Sequence, residues 1–476
     1  MYIKNMEKNK INLFQIIITI FSLISVNYLT IRSIDTTQVL IVFILLQVLL
    51  YKMNPLCAFV FCFVMNTNLM NNFTFLWSKP LTILFSFSIF IFNPKLLGLV
   101  FKNNKLKNVF LCSILFSFYV IIISIMSKTN IDYKIILNNF NIIFGFLIIL
   151  PTYYFAIKQP KDFFILLAYV SGIFLLIYYL NIIYNLNLFK LREADTTISS
   201  NLTRTMGYDL RQFIIIFFYL IPAFIFTKSI SAFNKNLIIY IGIGAYFVII
   251  LAVYRLALFY NLMGLLLSML LLSKYINVTK LFKKVIIIAL LLIVIIYFFN
   301  NYFIELQKVF SGTIDYFSGK KEDNSADERF LNQLPILLGI IYNNFWTGCG
   351  VIMSASITGI GEMYGFVDFP ILGSLATFGF AGMIIYYFRF YYILNKNINI
   401  KKNKYKFFNE KDKLLLNIML TLRAYLIVMI TFRFFYISWE LAFDWQQSEF
   451  GLITGSFLGL EHIIQQKIII NKKIWK

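Results

Sequence analysis

The chain has 476 residues, 60% of them hydrophobic and 13% charged, and a formal charge of +22. Soluble domains average about 45–50% apolar and about 25% charged residues, so this composition excludes a soluble globular protein and predicts a polytopic membrane protein. The basic excess does not point to nucleic acid: Lys and Arg cluster between apolar runs, as charges flanking membrane spans do.

Apolar runs predict spans over 12–31, 38–51, 55–69, 80–93, 108–127, 135–156, 163–182, 213–227, 237–254, 256–273, 285–304, 371–394, 414–437 and 450–466. A helix needs about 20 residues to cross hydrocarbon. The second, third and fourth runs are short, and one of them is expected to be re-entrant or interfacial. The basic segment Met1–Lys10 leads into the first run without a small-residue cleavage site behind it, which predicts a first span rather than a signal peptide. The stretch 237–273 carries one charge, Arg255. As one helix it would be about 55 Å long against a hydrocarbon core of about 30 Å, so it must turn near Arg255. The expected fold is all-α, a single polytopic transmembrane domain over 1–476 with about fourteen spans, in a range of about twelve to fourteen.

Orientation follows from charge. With the N-terminus in the cytoplasm, most of the 43 Lys and Arg fall in inner segments, notably Lys95–Lys107, Lys274–Lys284, Lys396–Lys413 and Lys467–Lys476. Of the 21 Asp and Glu, only Glu7, Asp162, Glu410 and Asp412 do. Both termini are therefore expected in the cytoplasm. Two long loops, 183–212 and 305–370, are expected on the outer face, with the larger carrying the chemistry.

Four outer features stand out: Asn201-Leu-Thr-Arg204-Thr-Met-Gly207 before the eighth span; Val253-Tyr-Arg255-Leu-Ala-Leu at the tight turn; Asp327-Glu-Arg329-Phe-Leu-Asn, followed by Asn343-Asn-Phe-Trp346-Thr-Gly348-Cys-Gly350; and Asp368-Phe-Pro-Ile-Leu-Gly373, leading into a helix with Gly379 and Gly382. Arg423 falls near the middle of the thirteenth span and Arg433 nearer its outer end. A charge at mid-bilayer costs about 2.5–3.5 kcal/mol and faces the bundle interior. Arg423 and Arg433, with Trp346, are thus candidate cavity-lining residues. Each feature also has a plain structural explanation. Arg255 can snorkel at the interface, Arg329 can pair with the acidic run before it, Asp368 beside Pro370 can cap a helix, and Trp346 can belong to an aromatic belt.

The cysteines Cys57, Cys62, Cys112 and Cys349 form no pairing or metal framework. The one histidine, His462, reads as a packed residue. No Asp-x-Asp, His pair or calcium-loop spacing occurs, so neither a metal nor a cofactor is expected.

In this order, the four features resemble the O-antigen ligase/polymerase superfamily of bacterial envelope membrane proteins over roughly residues 200–395. The resemblance implies a glycosyltransferase in the bacterial inner membrane. It would polymerise undecaprenyl-pyrophosphate-linked oligosaccharide repeat units at the periplasmic face, with membrane lipid around it and a chain-length regulator protein as partner. Arg204, Arg255 and Arg329 would hold the pyrophosphate, since a guanidinium grips phosphate oxygens bidentately and stays charged. Asp368 and Glu362 are the candidates for taking the proton of the attacking hydroxyl. Ligases of this superfamily begin the last motif with histidine; Asp368 stands there instead, which favours a polymerase. A ligase moving glycan to a lipid core, and a lipid-linked oligosaccharide flippase, are the alternatives.

Overall fold

The computed structural model describes residues 11–32, 34–67, 77–126, 144–184, 197–199, 202–203, 212–225, 229–251, 255–275, 334–350, 370–395, 408–433 and 446–474. Helix α1 (Leu13–Ile31) opens on a capping box: the Asn12 side chain accepts from Gln15 N, and the Gln15 side chain accepts from Asn12 N. Helix α2 (Thr36–Met53) ends at Asn54, whose extended backbone breaks the chain. The Asn54 side chain then accepts from Leu56 N at 3.0 Å to start α3 (Pro55–Asn66), with Pro55 in the first turn. Helices α4 (Ser78–Ser86), α5 (Ser88–Phe92), α6 (Lys95–Val100) and α7 (Asn104–Met126) follow. A 3-10 turn at Gly145–Ile148 leads into α8 (Ile149–Lys158), then α9 (Pro160–Tyr184). Beyond a two-stranded antiparallel pair, Thr197–Ser199 with Leu202–Thr203, come α10 (Gln212–Ile225), α11 (Ala232–Leu251), α12 (Arg255–Ser273), α13 (Leu334–Asn344), α14 (Pro370–Leu394), α15 (Glu410–Arg433) and α16 (Gln446–Ile474).

Seven of the described helices are long and apolar enough to cross a membrane: α1, α2, α7, α9, α11, α14 and α15. The architecture is that of an all-α, multi-pass membrane protein. The turn expected near Arg255 falls at residues 252–254, between α11 and α12, and lies outside the described residues. Elsewhere the structure differs from the sequence expectation. The run 80–93 is two short helices broken at Phe87, not one span. Thr82 and Ser86 turn their hydroxyls back onto the carbonyls of Ser78 and Thr82, a bonding that bends helices. Of the run 135–156, the described part is the 3-10 turn and the start of α8. The large loop contains a helix, α13, that the polar character of its surroundings concealed. The predicted span 285–304 lies outside the described residues.

Two helices form the centre. Every residue from Leu56 to Asn66 in α3 and from Phe213 to Ile225 in α10 is buried. Helices apolar all round belong inside. At about 1.5 Å per residue α3 is shorter than the roughly 30 Å core, so its ends lie among other helices; the described start of α10 is likewise buried. The first turn of α16 supplies a partner to both. Ser448 donates to Asn66 Oδ1 at 2.6 Å at the end of α3, and Glu449 Oε1 accepts from Phe213 N at 3.3 Å at the start of α10.

Helix α16 is seated by small residues. A Cβ at Gly455 would lie 2.6 Å from Ile149 O, one at Gly459 2.8 Å from Ala156 Cβ, and one at Gly451 3.0 Å from Ile149 N. Spacing by four puts these glycines on one face, where the α8 backbone approaches as in small-residue membrane packing. Gly455→Leu is expected to force α8 and α16 apart, since overpacking typically costs about 1–3 kcal/mol and here the obstacle is backbone. Thermal unfolding in detergent should show a lower midpoint; an unchanged midpoint would contradict this packing.

Candidate functional site

The third and fourth sequence features meet in a backbone junction. Helix α13 sets Leu337 and Ile341 against Leu372, Leu375 and Ala376 in the first half of α14. Helix α14 is broken at Gly379, where φ is 61° and ψ 177°. Such a break frees carbonyls before it and amides after it, and in an apolar surrounding those groups need partners. The segment after α13 supplies them. Cys349 N donates to Ala376 O at 2.7 Å and Gly350 N to Thr377 O at 2.9 Å. In return Phe380 N donates to Phe345 O at 2.8 Å and Ala381 N to Trp346 O at 3.2 Å. The Tyr119 hydroxyl of α7 closes the set by donating to Phe378 O at 2.8 Å.

Only glycine fits where the chains cross. Gly348 has φ 73°, and a Cβ on it would lie 2.4 Å from Thr377 O. A Cβ on Gly379 would lie 2.5 Å from Gly348 N. Both positions therefore require a positive φ and tolerate no side chain. What the crossing displays is aromatic. The Phe345 and Phe380 rings stack at 5.8 Å and 11°, and Trp346 stands edge-on to both at 5.4 and 5.7 Å. Trp346 is 65% exposed, held in place by the backbone bonds on either side of it.

The other expected site residues do not all fall in view. Arg204, Arg329, Glu362 and Asp368 lie outside the described residues. Arg255 is the first residue of α12 and Arg433 the last of α15; their side chains lie outside the described residues. Arg423 is half-buried on α15 and belongs to another group, near Glu461 and Tyr275. There Lys105 Nζ meets Glu461 Oε2 at 2.7 Å. Arg423 lies close enough to Glu461 for the two charges to influence each other. His462 is packed between Asn103 Nδ2 at 3.2 Å and Gln466 Nε2 at 2.7 Å. Among the described residues no group of three His, Cys, Asp or Glu side chains is placed to hold a metal ion.

Sequence reasoning missed the burial of several charges, Glu461 among them. Lys79 donates to Asn66 O at 2.8 Å, Glu449 caps α10, and Arg389 lies 1% exposed in the second half of α14. The signal for Arg389 was present: it is a lone charge deep in an apolar run, the criterion that selected Arg423. The chain matches no known protein-family model, and no curated protein matches its sequence.

Proposed function

We propose that the chain is a repeat-unit polymerase of the O-antigen or capsule type. It acts on undecaprenyl-pyrophosphate-linked oligosaccharides at the periplasmic face of the bacterial inner membrane, in a bundle of about fourteen spans with cytoplasmic termini. One observation carries the reading. The Trp346-Thr-Gly348-Cys-Gly350 turn and the Gly379 break, which fall in the third and fourth of the features that resemble the superfamily, are joined by reciprocal backbone bonds under an exposed aromatic cluster. The C–H face of a sugar ring is weakly positive and packs on the negative face of an aromatic ring, so a fixed Trp346 suits a saccharide. The donor is activated by its pyrophosphate. The protein would need to supply charge and position: Arg204, Arg255 and Arg329 for the diphosphate, and Asp368 or Glu362 for the proton of the attacking hydroxyl.

A deletion strain tests this. Single repeats capping the lipid core on a glycan gel indicate a lost polymerase; an uncapped core indicates a ligase or a flippase instead. Complementation with Arg255→Ala or Arg329→Ala is expected to leave the long chains missing at normal protein level, and Trp346→Ala to shorten the ladder. Ladders of wild-type length from all three variants would refute the assignment.

A further inference from the structure

Helices α14 and α16 meet with the Phe390 and Phe450 rings 5.3 Å apart. The Arg389 guanidinium lies at this seam. The ring centroids of Tyr386, Phe450, Phe390 and Phe116 stand 3.8, 4.4, 5.2 and 5.7 Å from its Cζ. From Nη1 it donates to Gln447 Oε1, at 3.3 Å, in the first turn of α16. Among the described residues Nε and Nη2 have no hydrogen-bond partner, and neither have Gln447 Nε2 or the Tyr386 hydroxyl. Among the described residues no carboxylate lies within ion-pair distance of Arg389.

These vacancies share one character. Nε and Nη2 form the side-on edge of the guanidinium, the fork that grips two oxygens of a phosphate or carboxylate. Gln447 Nε2 can only donate, and the Tyr386 hydroxyl carries a proton to donate. The first turn of α16 adds the positive end of a long helix. Glu449 on that turn directs Oε1 to Phe213 N, toward α10. Aromatic faces attract the cation but cannot accept its in-plane N–H groups. The seam therefore offers several donors and a positive charge that no acceptor among the described residues receives. A carboxylate has two oxygens and would fill the fork alone; a phosphate-type group has further oxygens for Gln447 and Tyr386.

We propose that Arg389, Gln447 and Tyr386 form a binding site for a phosphate-class oxyanion, buried between α14 and α16. The same chemistry is offered by the diphosphate of an isoprenoid carrier and by free inorganic phosphates. The site is separate from the arginines expected on the outer loops, and its test does not depend on the polymerase reading. With Arg389 1% exposed, binding requires the seam to part and is slow.

The test uses the full chain in phosphatidylcholine nanodiscs and three probes at equal ionic strength: inorganic pyrophosphate, farnesyl pyrophosphate and chloride. Pyrophosphate and farnesyl pyrophosphate are expected to raise the unfolding midpoint of the unsubstituted protein, and chloride to leave it unchanged. A larger rise with farnesyl pyrophosphate identifies a lipid-linked diphosphate as the ligand; equal rises identify a free anion. Arg389→Lys loses the planar fork and should weaken binding about tenfold or more. Gln447→Glu places a carboxylate against Arg389, so it should melt no lower than the unsubstituted protein and show no response to either diphosphate. No midpoint rise in the unsubstituted protein, the same rise with chloride, or an undiminished response in Gln447→Glu would each overturn the site. Should Arg389→Lys fail to fold, Gln447→Glu decides alone.

Discussion

Gly379→Ala is expected to open the junction between α13 and α14. The Gly379 backbone, φ 61° and ψ 177°, lies in a region essentially restricted to glycine, and holding another residue there costs about 1–3 kcal/mol. The added Cβ would also lie 2.5 Å from Gly348 N and from the Thr347 backbone, which cannot rotate away as a side chain can. Cys349 reports the result directly. It is 8% exposed in the closed junction, packed with Leu337, Ile341 and Ala376. In a background where Cys349 is the only cysteine, maleimide should label Gly379→Ala at least about tenfold faster than the parent, since roughly 1.4 kcal/mol in the opening equilibrium is a factor of ten. Gly348→Ala should do the same. The double variant should be little worse than either single one, because residues sharing one contact do not act additively. Parental labelling rates in both singles would show that the crossing is not closed in solution. Under the proposed function, both variants should also lose the long glycan chains.

The second large effect concerns the Lys105–Glu461 pair. The side chains meet at 2.7 Å with 19% and 5% exposure, and Lys105 Nζ also lies 5.5 Å from the Phe457 ring. Arg423 is the third charge in the group. Glu461→Gln removes the one acid and leaves two cations facing each other. Breaking a buried pair in this way costs about 3–5 kcal/mol. Lys105→Met is expected to cost less, because Arg423 still faces Glu461. Far-UV-monitored unfolding in detergent should rank Glu461→Gln below Lys105→Met. The reverse order would mean that Arg423 does not share the carboxylate.

How much of this was legible depended on contrast. Composition alone identifies a membrane protein. The long runs that became α1, α7, α9 and α15 stand out because polar segments bound them, whereas the run that became α2 read as short. The turn expected near Arg255 follows from length, since no single helix of that size fits a bilayer. Burial was illegible. In α7, Leu111, Leu115, Phe118 and Ile122 face outward while Val109, Phe116 and Val120 face inward, all equally apolar. With lipid on one side and protein on the other, amphipathic periodicity disappears, and nothing in its residues marks α3 as central. Of the site, Trp346 and the two glycines of the turn were legible as a motif. Their contact with Gly379 was not, because it joins backbone to backbone and leaves no side-chain trace. Arg389 was legible as a lone charge in an apolar run, but its surroundings were not: Gln447 and Phe450 meet it from another helix.

Helix α16 also sets the timetable of assembly. It packs on α8, α10 and α15, all of which leave the ribosome before it. Until it inserts, Lys105 lacks Glu461, the α10 amide lacks Glu449 and the groove along α8 lacks its glycine-lined filler. Translation thus produces the earlier helices before the element that closes them, and α16 acts as the keystone. Nascent chains stalled before Gln446 should present these open surfaces to membrane quality control and be degraded, whatever the fate of the helices already in place.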